Sequence, residues 1–437
     1  GFAERLGADL AIDFGTDRII DVCAHGLHGR TVQLPARAVP GVRWNGDIHD
    51  WRLDPSHYGA IHFHDDDLVD AGWDPSFMLD LPEDIPSGVY ALRLRTSTSE
   101  DYVPFFVVPG PQTGRADVAY LAPTVTYRAY ANARLTARPD RIFGSGAQQQ
   151  VENDRFLFEH PRVGLGTYER HSDGSGVMFS SHLRPVLNLK PKGGVWSFTA
   201  DTNVTAWLRH TGVPFDVLTD DVLHAEGAAL LEPYRVILTG THPEYWTTPM
   251  LDALEAYLSG GGRLLYLGAN GFYWRTSFHD AAPGTIEVRR AEDGARAWIA
   301  EPGEYHHEST GELGGLWRRL GRPPNRLVGV GFAAQGFTTS GHYRRSAGWS
   351  DPLVAFATEG LSEADVFGDH GVIGGGAAGQ LPSRAETSSP DSGRGQSCRC
   401  QDGPFTCWRA CSALSSSPAK NWRQCWSTAE GFSRYLA

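Results

Sequence analysis

Residues 238–246 contain His242, Glu244 and Tyr245, three side chains that could take part in catalysis or metal binding. An apolar, β-branched run that is typical of a buried strand precedes them. Apolar residues at helical spacing follow over 247–258, after a threonine cap and an early proline. An imidazole, a carboxylate and a phenol are therefore predicted in one short loop after a strand and before a helix, where open α/β sheets place their sites.

Tyr245 is compatible with two roles. A tyrosine after a strand most often packs in the core, with its hydroxyl hydrogen-bonded. The alternative role is that of a metal-bound phenolate. Because a free phenol has a pKa of about 10, only a strongly Lewis-acidic cation would hold it deprotonated at neutral pH. Hard oxygen ligands of this kind favour ferric iron over zinc.

Glu312 lies in the glycine-rich segment 309–315, where the backbone can approach a bound group closely. It is predicted to be either a metal ligand or an exposed turn residue. The neighbouring run of His306, His307 and Glu308 does not favour a zinc site, because adjacent residues of a strand point to opposite faces.

Asn270 lies at a second transition from strand to turn, within residues 266–274. The segment has the form of a nucleophile elbow, but an asparagine stands where a serine or cysteine nucleophile would be. An acyl-enzyme at this turn is therefore not expected. Asn270 could instead orient a substrate or a metal-bound water.

A further cluster consists of His62 and His64 followed by Asp65, Asp66 and Asp67. The two histidines share one face of a predicted strand, so the cluster could bind a metal ion. The alternative, which we prefer from the sequence, is a strand that ends in a solvated acidic turn.

The charge of the chain limits its partners. The 437 residues carry a formal net charge of −12 and no long basic run, which argues against nucleic acid and against an anionic membrane surface. No apolar segment has membrane-spanning length and no signal peptide opens the chain, although a first residue other than methionine means that the missing signal says little about the compartment. The location expected is cytoplasmic. Five of the six cysteines fall after residue 397.

Three regions differ in their pattern. Residues 1–114 contain short β runs between turn residues and favour a sandwich; these runs are 32–34, 77–81, 89–94 and 103–108. Residues 116–379 alternate strands with helical stretches such as 198–209 and favour a mainly parallel sheet; the strands are 118–121, 215–218, 236–238 and 264–267. From about residue 380 the apolar periodicity vanishes.

Eight segments also follow a recognisable order along the chain: 60–67, 86–90, 242–246, 268–274, 301–304, 310–317, 329–332 and 374–378. Through them the chain resembles the large (β) subunit of N,N-dimethylformamidase from about residue 20 to residue 379. The resemblance implies a multidomain protein with a β-sandwich region followed by a glutamine-amidotransferase-like α/β domain over 116–379. Residues 1–48 would be the last strands of a lectin-like sandwich and 49–114 a β-rich region.

The resemblance also implies a site and partners. The family enzyme holds mononuclear Fe³⁺ with two tyrosines and a glutamate, and it acts on a small amide. By the same resemblance, a small subunit and further copies of the chain, in a homo-oligomer, are possible partners. By motif, Tyr245 is one tyrosine and Glu312 the glutamate, while Asn203 stands at the position of the second tyrosine and would be a weaker, neutral ligand. His242, Glu244 and Asn270 are then the candidate catalytic or substrate-binding groups.

The tail departs from this family. After Gly379 the family continues with a strand and a Glu-Gly-His-type segment that helps to form the site, and this chain has no such segment. The loss of resemblance beside the cysteine-rich stretch indicates a shifted reading frame, so residues 380–437 are predicted to be non-native or disordered. A genuine cysteine cluster is the alternative, although its spacing fits no zinc module we can name.

Three functional hypotheses follow. The first is an iron-dependent amidohydrolase that converts a small amide to a carboxylate and an amine, or an inactive relative with an incomplete site. The second is a non-catalytic binding protein of the same fold, which the β-rich region and the 11% aromatic content favour. The third is a nucleophile-based amidotransferase, which Asn270 argues against.

Overall fold

The computed structural model describes residues 17–19, 25–110, 115–134, 152–191, 197–268, 270–294, 297–335, 343–345, 352–367 and 376–379. The predictions for the first sixteen residues and for the tail 380–437 lie outside this set. Within it, no helix is both long enough and apolar enough to cross a membrane.

The strands of these residues are short, and they are β1 (Arg18–Ile19), β2 (Gly29–Arg30), β3 (Ala36–Val39), β4 (Ala60–His62), β5 (Gly88–Arg95), β6 (Glu100–Val107), β7 (Val118–Ala122), β8 (Phe179–Ser181), β9 (Phe215–Thr219), β10 (Val236–Thr239), β11 (Tyr245–Trp246), β12 (Arg263–Leu265), β13 (Trp274–Arg275), β14 (Ser277–Phe278), β15 (Thr285–Glu287), β16 (Gly331–Gln335), β17 (Tyr343–Arg344), β18 (Val366–Phe367) and β19 (Gly376–Gly379). The α-helices are α1 (Thr124–Ala129), α2 (Glu152–Glu159), α3 (Phe198–His210), α4 (Asp220–Glu226), α5 (Ala228–Leu231), α6 (Thr248–Ser259), α7 (Pro324–Val328) and α8 (Pro352–Ala357). Two 3₁₀ turns cover Pro55–His57 and Pro161–Val163.

A four-stranded sheet in the order β12-β10-β7-β9 forms the centre of the described chain, and all its pairings are parallel. The four strands predicted between residues 116 and 267 are therefore present, the last of them at 263–265. Every residue of β7 is buried, as expected for a strand covered on both faces. Whether this α/β region is of the glutamine-amidotransferase type stays a prediction.

Helix α6 forms where its sequence signals predict it. The Thr247 hydroxyl caps the helix by accepting from the Met250 amide, and Pro249 lies in the first turn, where no backbone donor is lost. Its apolar face is buried in the core, and Gly260 ends the helix.

The β-rich region before residue 110 contains two separate antiparallel pairs, β3 with β4 and β5 with β6. A sandwich built from them stays a prediction. Two of the predicted runs are wrong, because residues 32–34 and 77–81 form no strand. In the second run Met78 is 83% exposed, and prolines at 75 and 82 cannot donate to a ladder. A segment with high strand propensity does not form a strand when no other segment pairs with it.

Gly176 lies where a side chain would collide with the core. A Cβ at this position would overlap the indole of Trp298, which is fully buried and donates to the Thr167 carbonyl at 2.9 Å. We expect Gly176→Ala to lower the free energy of unfolding by about 1–3 kcal/mol, as other overpacked cores do. Urea unfolding measures this change. Gly260→Ala is the control, because its Cβ would lie 3.4 Å from the nearest atom; equal midpoints for the two variants would contradict the prediction.

Candidate active site

Polar residues follow the carboxyl ends of three parallel strands of the central sheet, β7, β10 and β12. Helix α1 follows β7 and ends beside Tyr130, while His242 and Glu244 follow β10. Asn270 comes after β12, the other neighbour of β10. Because parallel strands end on the same side, these residues meet in the crevice where open α/β sheets bind ligands.

The hydroxyls of Tyr130 and Tyr168 and the carboxylate of Glu244 form a compact cluster of oxygens. The two phenol oxygens lie 2.6 Å apart. Tyr130 Oη donates to Glu244 Oε2 at 2.6 Å, and Tyr168 Oη donates to Glu244 Oε1 at 3.0 Å. All three side chains are buried. We refer to these residues as the Tyr–Tyr–Glu cluster.

The end of helix α1 is held so that Tyr130 points into the cluster. Asn132 adopts a left-handed conformation (φ +58°), which asparagine tolerates better than most residues. Its side-chain amide donates to the carbonyls of Val163 and Pro185 and accepts from the Leu187 amide. The chain after Tyr130 is thereby fixed to two other segments.

Tyr168 reaches the same point from a turn distant in sequence. The preceding residue, Thr167, donates its hydroxyl to the Ala129 carbonyl at 2.8 Å and so fastens the turn to the last residue of α1. Gly166 packs so closely that a Cβ would lie 2.9 Å from backbone atoms of Ala131 and Ala133. The rings of Tyr168 and Tyr130 stack with centroids 4.5 Å apart.

Glu244 is fixed by its own backbone. Its amide and that of Tyr245 both donate to the Thr126 hydroxyl of α1 at 3.1 Å. Its carbonyl accepts from the amides of Tyr273 and Trp274. These bonds join the segments after β7, β10 and β12, so the carboxylate has little freedom to move away from the phenols.

His242 and Asn270 form the less buried side of the cluster. His242 Nε2 lies 3.2 Å from Glu244 Oε2 and is hydrogen-bonded to Asn270 Oδ1. Because both partners are acceptors, the ring proton is assigned to Nε2. Both residues are half-buried, which makes this the side from which a small molecule could approach.

Behind the cluster lies a buried cation, Arg290. Its guanidinium donates to Tyr245 Oη at 2.9 Å and lies 4.4 Å from the Tyr168 ring centroid and 4.6 Å from that of Trp274. Tyr245 Oη in turn donates to Tyr168 Oη at 2.8 Å. Although burial opposes it, the phenols of Tyr245 and Tyr168 raise the pKa of Arg290, so the group stays charged.

The cluster has more oxygen atoms than protons to join them. Burial and then the Glu244 carboxylate raise the pKa of Tyr130 and Tyr168 well above the usual phenol value. Each phenol has one proton, and both protons are donated to Glu244. Three short contacts therefore share two phenol protons, and one of the three has no proton of its own. A bound cation would relieve this crowding and would replace the protons.

The spacing of these oxygens fits a single metal ion. Ligands bonded at about 2.0 Å and at right angles around an ion lie about 2.8 Å apart. The three contacts of the cluster are 2.6, 2.6 and 3.0 Å, and the two contacts with Glu244 are made by its two different carboxylate oxygens. Two phenols and a carboxylate are hard, anionic ligands, and they suit a strongly Lewis-acidic cation such as Fe³⁺.

The residues proposed as metal ligands from the sequence, Tyr245, Glu312 and Asn203, are not brought together in this way. Glu312 is bonded to Arg275 and to the Thr248 hydroxyl at the start of α6. Tyr245 begins β11 and reaches Tyr168 and Arg290 instead.

Asn203 lies half-buried in α3. The same helix contributes Asp201, which accepts from the Thr241 amide at 2.5 Å and from the Thr241 hydroxyl at 2.7 Å. Helix α3 therefore supports the segment before His242. The metal and catalytic roles named from the sequence stay predictions, and the Tyr–Tyr–Glu cluster is the alternative ligand set that the geometry brings together.

Tyr130 and Tyr168 were not identified from the sequence. They lie 114 and 76 residues from Glu244, so no local motif joins them to it. The ligand set implied by the resemblance could have pointed to them. It calls for two tyrosines and a glutamate, and each tyrosine of the α/β region is then a candidate, including Tyr130 just after β7 and α1.

Comparison with known proteins agrees with the resemblance seen in the sequence. The family described as N,N-dimethylformamidase beta subunit-like, C-terminal, matches residues 36–391. The N,N-dimethylformamidase beta subunit of Paracoccus aminophilus is 39% identical over 395 residues, which is 89% of this chain and 51% of that protein. That of an Alcaligenes species is 39% identical over 372 residues, 83% of this chain and 49% of that protein. The chain thus spans about half the length of these curated relatives. It belongs to the N,N-dimethylformamidase beta subunit-like family.

Proposed function

We propose that the chain is the site-bearing part of a metal-dependent amidohydrolase, which cleaves a small amide of the formamide type into a carboxylate and an amine. The observation that carries the proposal is the Tyr–Tyr–Glu cluster, in which two buried phenol oxygens lie 2.6 Å apart and each contacts a different carboxylate oxygen of Glu244, at 2.6 and 3.0 Å. The proposed ion is Fe³⁺, held by Tyr130, Tyr168 and Glu244. Because both relatives are named beta subunits, we include a second subunit in the proposal.

Each protein group has a distinct part in this reaction. The ion, when bound, supplies Lewis acidity to an amide carbonyl and to an attacking water. Arg290 keeps a positive charge behind the phenols and favours their anionic forms. Asn270 is positioned to orient the polar amide group from the less buried side.

His242 is the group best placed to move a proton. Its Nε2 lies between Asn270 Oδ1 and Glu244 Oε2 and bears the assigned proton. The attacking water loses one proton and the leaving nitrogen gains one, so His242 would accept the first proton as general base and return a proton to that nitrogen as general acid. Such a group typically contributes about 10²–10⁴-fold to the rate.

The proposal is tested by measuring metal content, absorbance and amide hydrolysis on the purified chain given ferric iron. We expect one iron per chain, a phenolate-to-metal charge-transfer band, and release of amine from N,N-dimethylformamide. A colourless protein that takes up no iron would overturn the metal site. The non-catalytic binding protein would then be the better description.

His242→Gln separates catalysis from metal binding. Glutamine keeps a hydrogen-bond donor near Asn270 but cannot deliver a proton at neutral pH. We expect at least about a 10²-fold lower kcat with unchanged iron content. His210→Gln is the control, since His210 is exposed at the end of α3 and the change should leave kcat unaltered. Iron loss in His242→Gln would make His242 part of the metal site instead.

A further inference from the structure

His64, Asp67 and His171 form a second group of metal-binding side chains. His64 and Asp67 follow β4, whereas His171 follows the turn that carries Tyr168. One ligand nitrogen of each histidine and one oxygen of Asp67 lie within 4.8 Å of one another. The three side chains are only 5%, 12% and 5% exposed. We call this group the His–Asp–His cluster.

The separations within the cluster match those of ligands around a tetrahedral ion. His64 Nδ1 lies 3.1 Å from Asp67 Oδ2, and His171 Nε2 lies 3.8 Å from Asp67 Oδ1. Zinc bonds of about 2.0–2.2 Å place tetrahedral ligands about 3.3–3.6 Å apart. Because a lone pair lies in the plane of its ring, the stacked imidazoles would have to turn apart for both nitrogens to point at one ion.

The outer nitrogens of both histidines already have partners. His171 Nδ1 is 2.6 Å from Asp66 Oδ1. His64 Nε2 is 3.0 Å from the Ser175 hydroxyl, which donates to Asp173 at 2.6 Å. Metal-binding histidines are oriented by just such outer bonds, which fix the tautomer. His64 Nδ1 and His171 Nε2 are the nitrogens that face Asp67, and a bound ion would replace the proton of the hydrogen bond between His64 Nδ1 and Asp67 Oδ2.

Charge favours an ion over protons at this place. The two imidazole rings stack with centroids 3.6 Å apart and planes at 6°, so protonation of both would place two cations in contact. A single divalent ion between the rings and Asp67 would satisfy both nitrogens and the carboxylate together.

We propose that His64, Asp67 and His171 bind one divalent transition-metal ion of the zinc type, with water completing the coordination. Two imidazoles and one carboxylate are a ligand set that suits Zn²⁺. His171 follows Tyr168 by three residues, so the ion ties the turn after β4 to the segment that presents Tyr168 to the active site. This site does not depend on the proposed function. It takes up the metal-binding alternative that the sequence leaves open for residues 62–67.

The test is zinc titration of the full chain after removal of metals with a chelator, followed by calorimetry, with Co²⁺ as an absorbing substitute. Tyr168→Phe is included because it disables the Tyr–Tyr–Glu cluster, so the zinc it still binds reports the second site. We expect His171→Gln and Asp67→Asn to weaken zinc binding at least about 100-fold. Asp66→Asn should weaken it about 10–100-fold, as other changes to outer partners do.

His62→Gln is the matched control. His62 lies beside His64, with ring centroids 4.2 Å apart, and bonds to Asp173, but it lies outside the His–Asp–His cluster. Its zinc affinity should equal that of the parent. The proposal is overturned if the parent binds no zinc at micromolar concentration, if His171→Gln binds it unchanged, or if His62→Gln abolishes binding. Far-UV circular dichroism checks that each variant is folded. If His171→Gln is unfolded, the zinc affinity of Asp66→Asn decides the test instead.

Discussion

Tyr168→Phe is expected to abolish stable iron binding and, with it, amide hydrolysis. The change removes only a hydroxyl, yet that oxygen contacts both Tyr130 Oη and Glu244 Oε1 in the Tyr–Tyr–Glu cluster. Two anionic ligands would remain to hold a trivalent ion. Changes to outer partners alone cost about 10–100-fold in metal affinity, so loss of a direct ligand should cost more than about 100-fold.

Tyr245→Phe is the matched control for this prediction. Tyr245 is as deeply buried, and its hydroxyl touches Tyr168 Oη at 2.8 Å, but it has no contact with Glu244 among the hydrogen bonds of the described residues. We expect this variant to keep its iron and to shift the charge-transfer band, because the remaining phenolate loses a hydrogen-bond donor.

Iron content and absorbance distinguish the two ligand sets directly. If Tyr245→Phe loses its iron and colour while Tyr168→Phe keeps both, the ligand set built on Tyr245, Glu312 and Asn203 is correct and the Tyr–Tyr–Glu cluster is not. Loss in neither variant would remove the tyrosine-based site altogether.

The central sheet could be predicted because the sequence signals for its strands and helices lie within each segment. The strands 118–122, 215–219 and 236–239 are mostly apolar runs, and helix α6 has a cap, a proline and a glycine in the expected positions. The runs at 32–34 and 77–81 have similar composition but form no strand. Pairing depends on a partner elsewhere in the chain, and composition does not report one.

The site could be predicted only in part, for the same physical reason. His242, Glu244 and Asn270 follow adjacent parallel strands, so the sequence pattern places them together. Tyr168 comes from a turn whose position depends on Gly166 and Thr167 packing against the end of α1. That contact is long-range, and the spacing of residues along the chain does not encode it.

A second large effect is expected away from the active site, at the buried ion pair of Glu287 and Arg289. Both side chains are 0% exposed, and Arg289 Nε donates to Glu287 Oε1 at 2.6 Å. Glu287 also accepts from the Glu308 amide at 2.9 Å. We expect Glu287→Gln to lower the free energy of unfolding by about 3 kcal/mol, because it leaves a buried guanidinium without its closest anion.

Chemical denaturation at neutral pH measures this change, and Glu292→Gln is its control. Glu292 pairs with Arg319 at 3.0 Å, but the two side chains are 60% and 48% exposed. An exposed pair contributes about 0–1 kcal/mol, so the control should differ little from the parent. Equal unfolding midpoints for the two variants would contradict a stabilising role for the buried pair.

The pH dependence provides an independent check on the same pair. Burial alone would raise the pKa of Glu287, but Arg289 overcomes this effect and lowers it below the usual carboxyl value. A carboxyl whose pKa is lower in the folded state stabilises the fold fully above its unfolded pKa of about 4.3. That stabilisation is lost as the pH falls through the folded value, where the folded carboxyl also takes up a proton. The stability difference between the parent and Glu287→Gln should therefore be constant above about pH 5 and should narrow in more acidic solution. A difference that stays constant down to the acid unfolding of the parent would show that Glu287 is not the charged partner of Arg289.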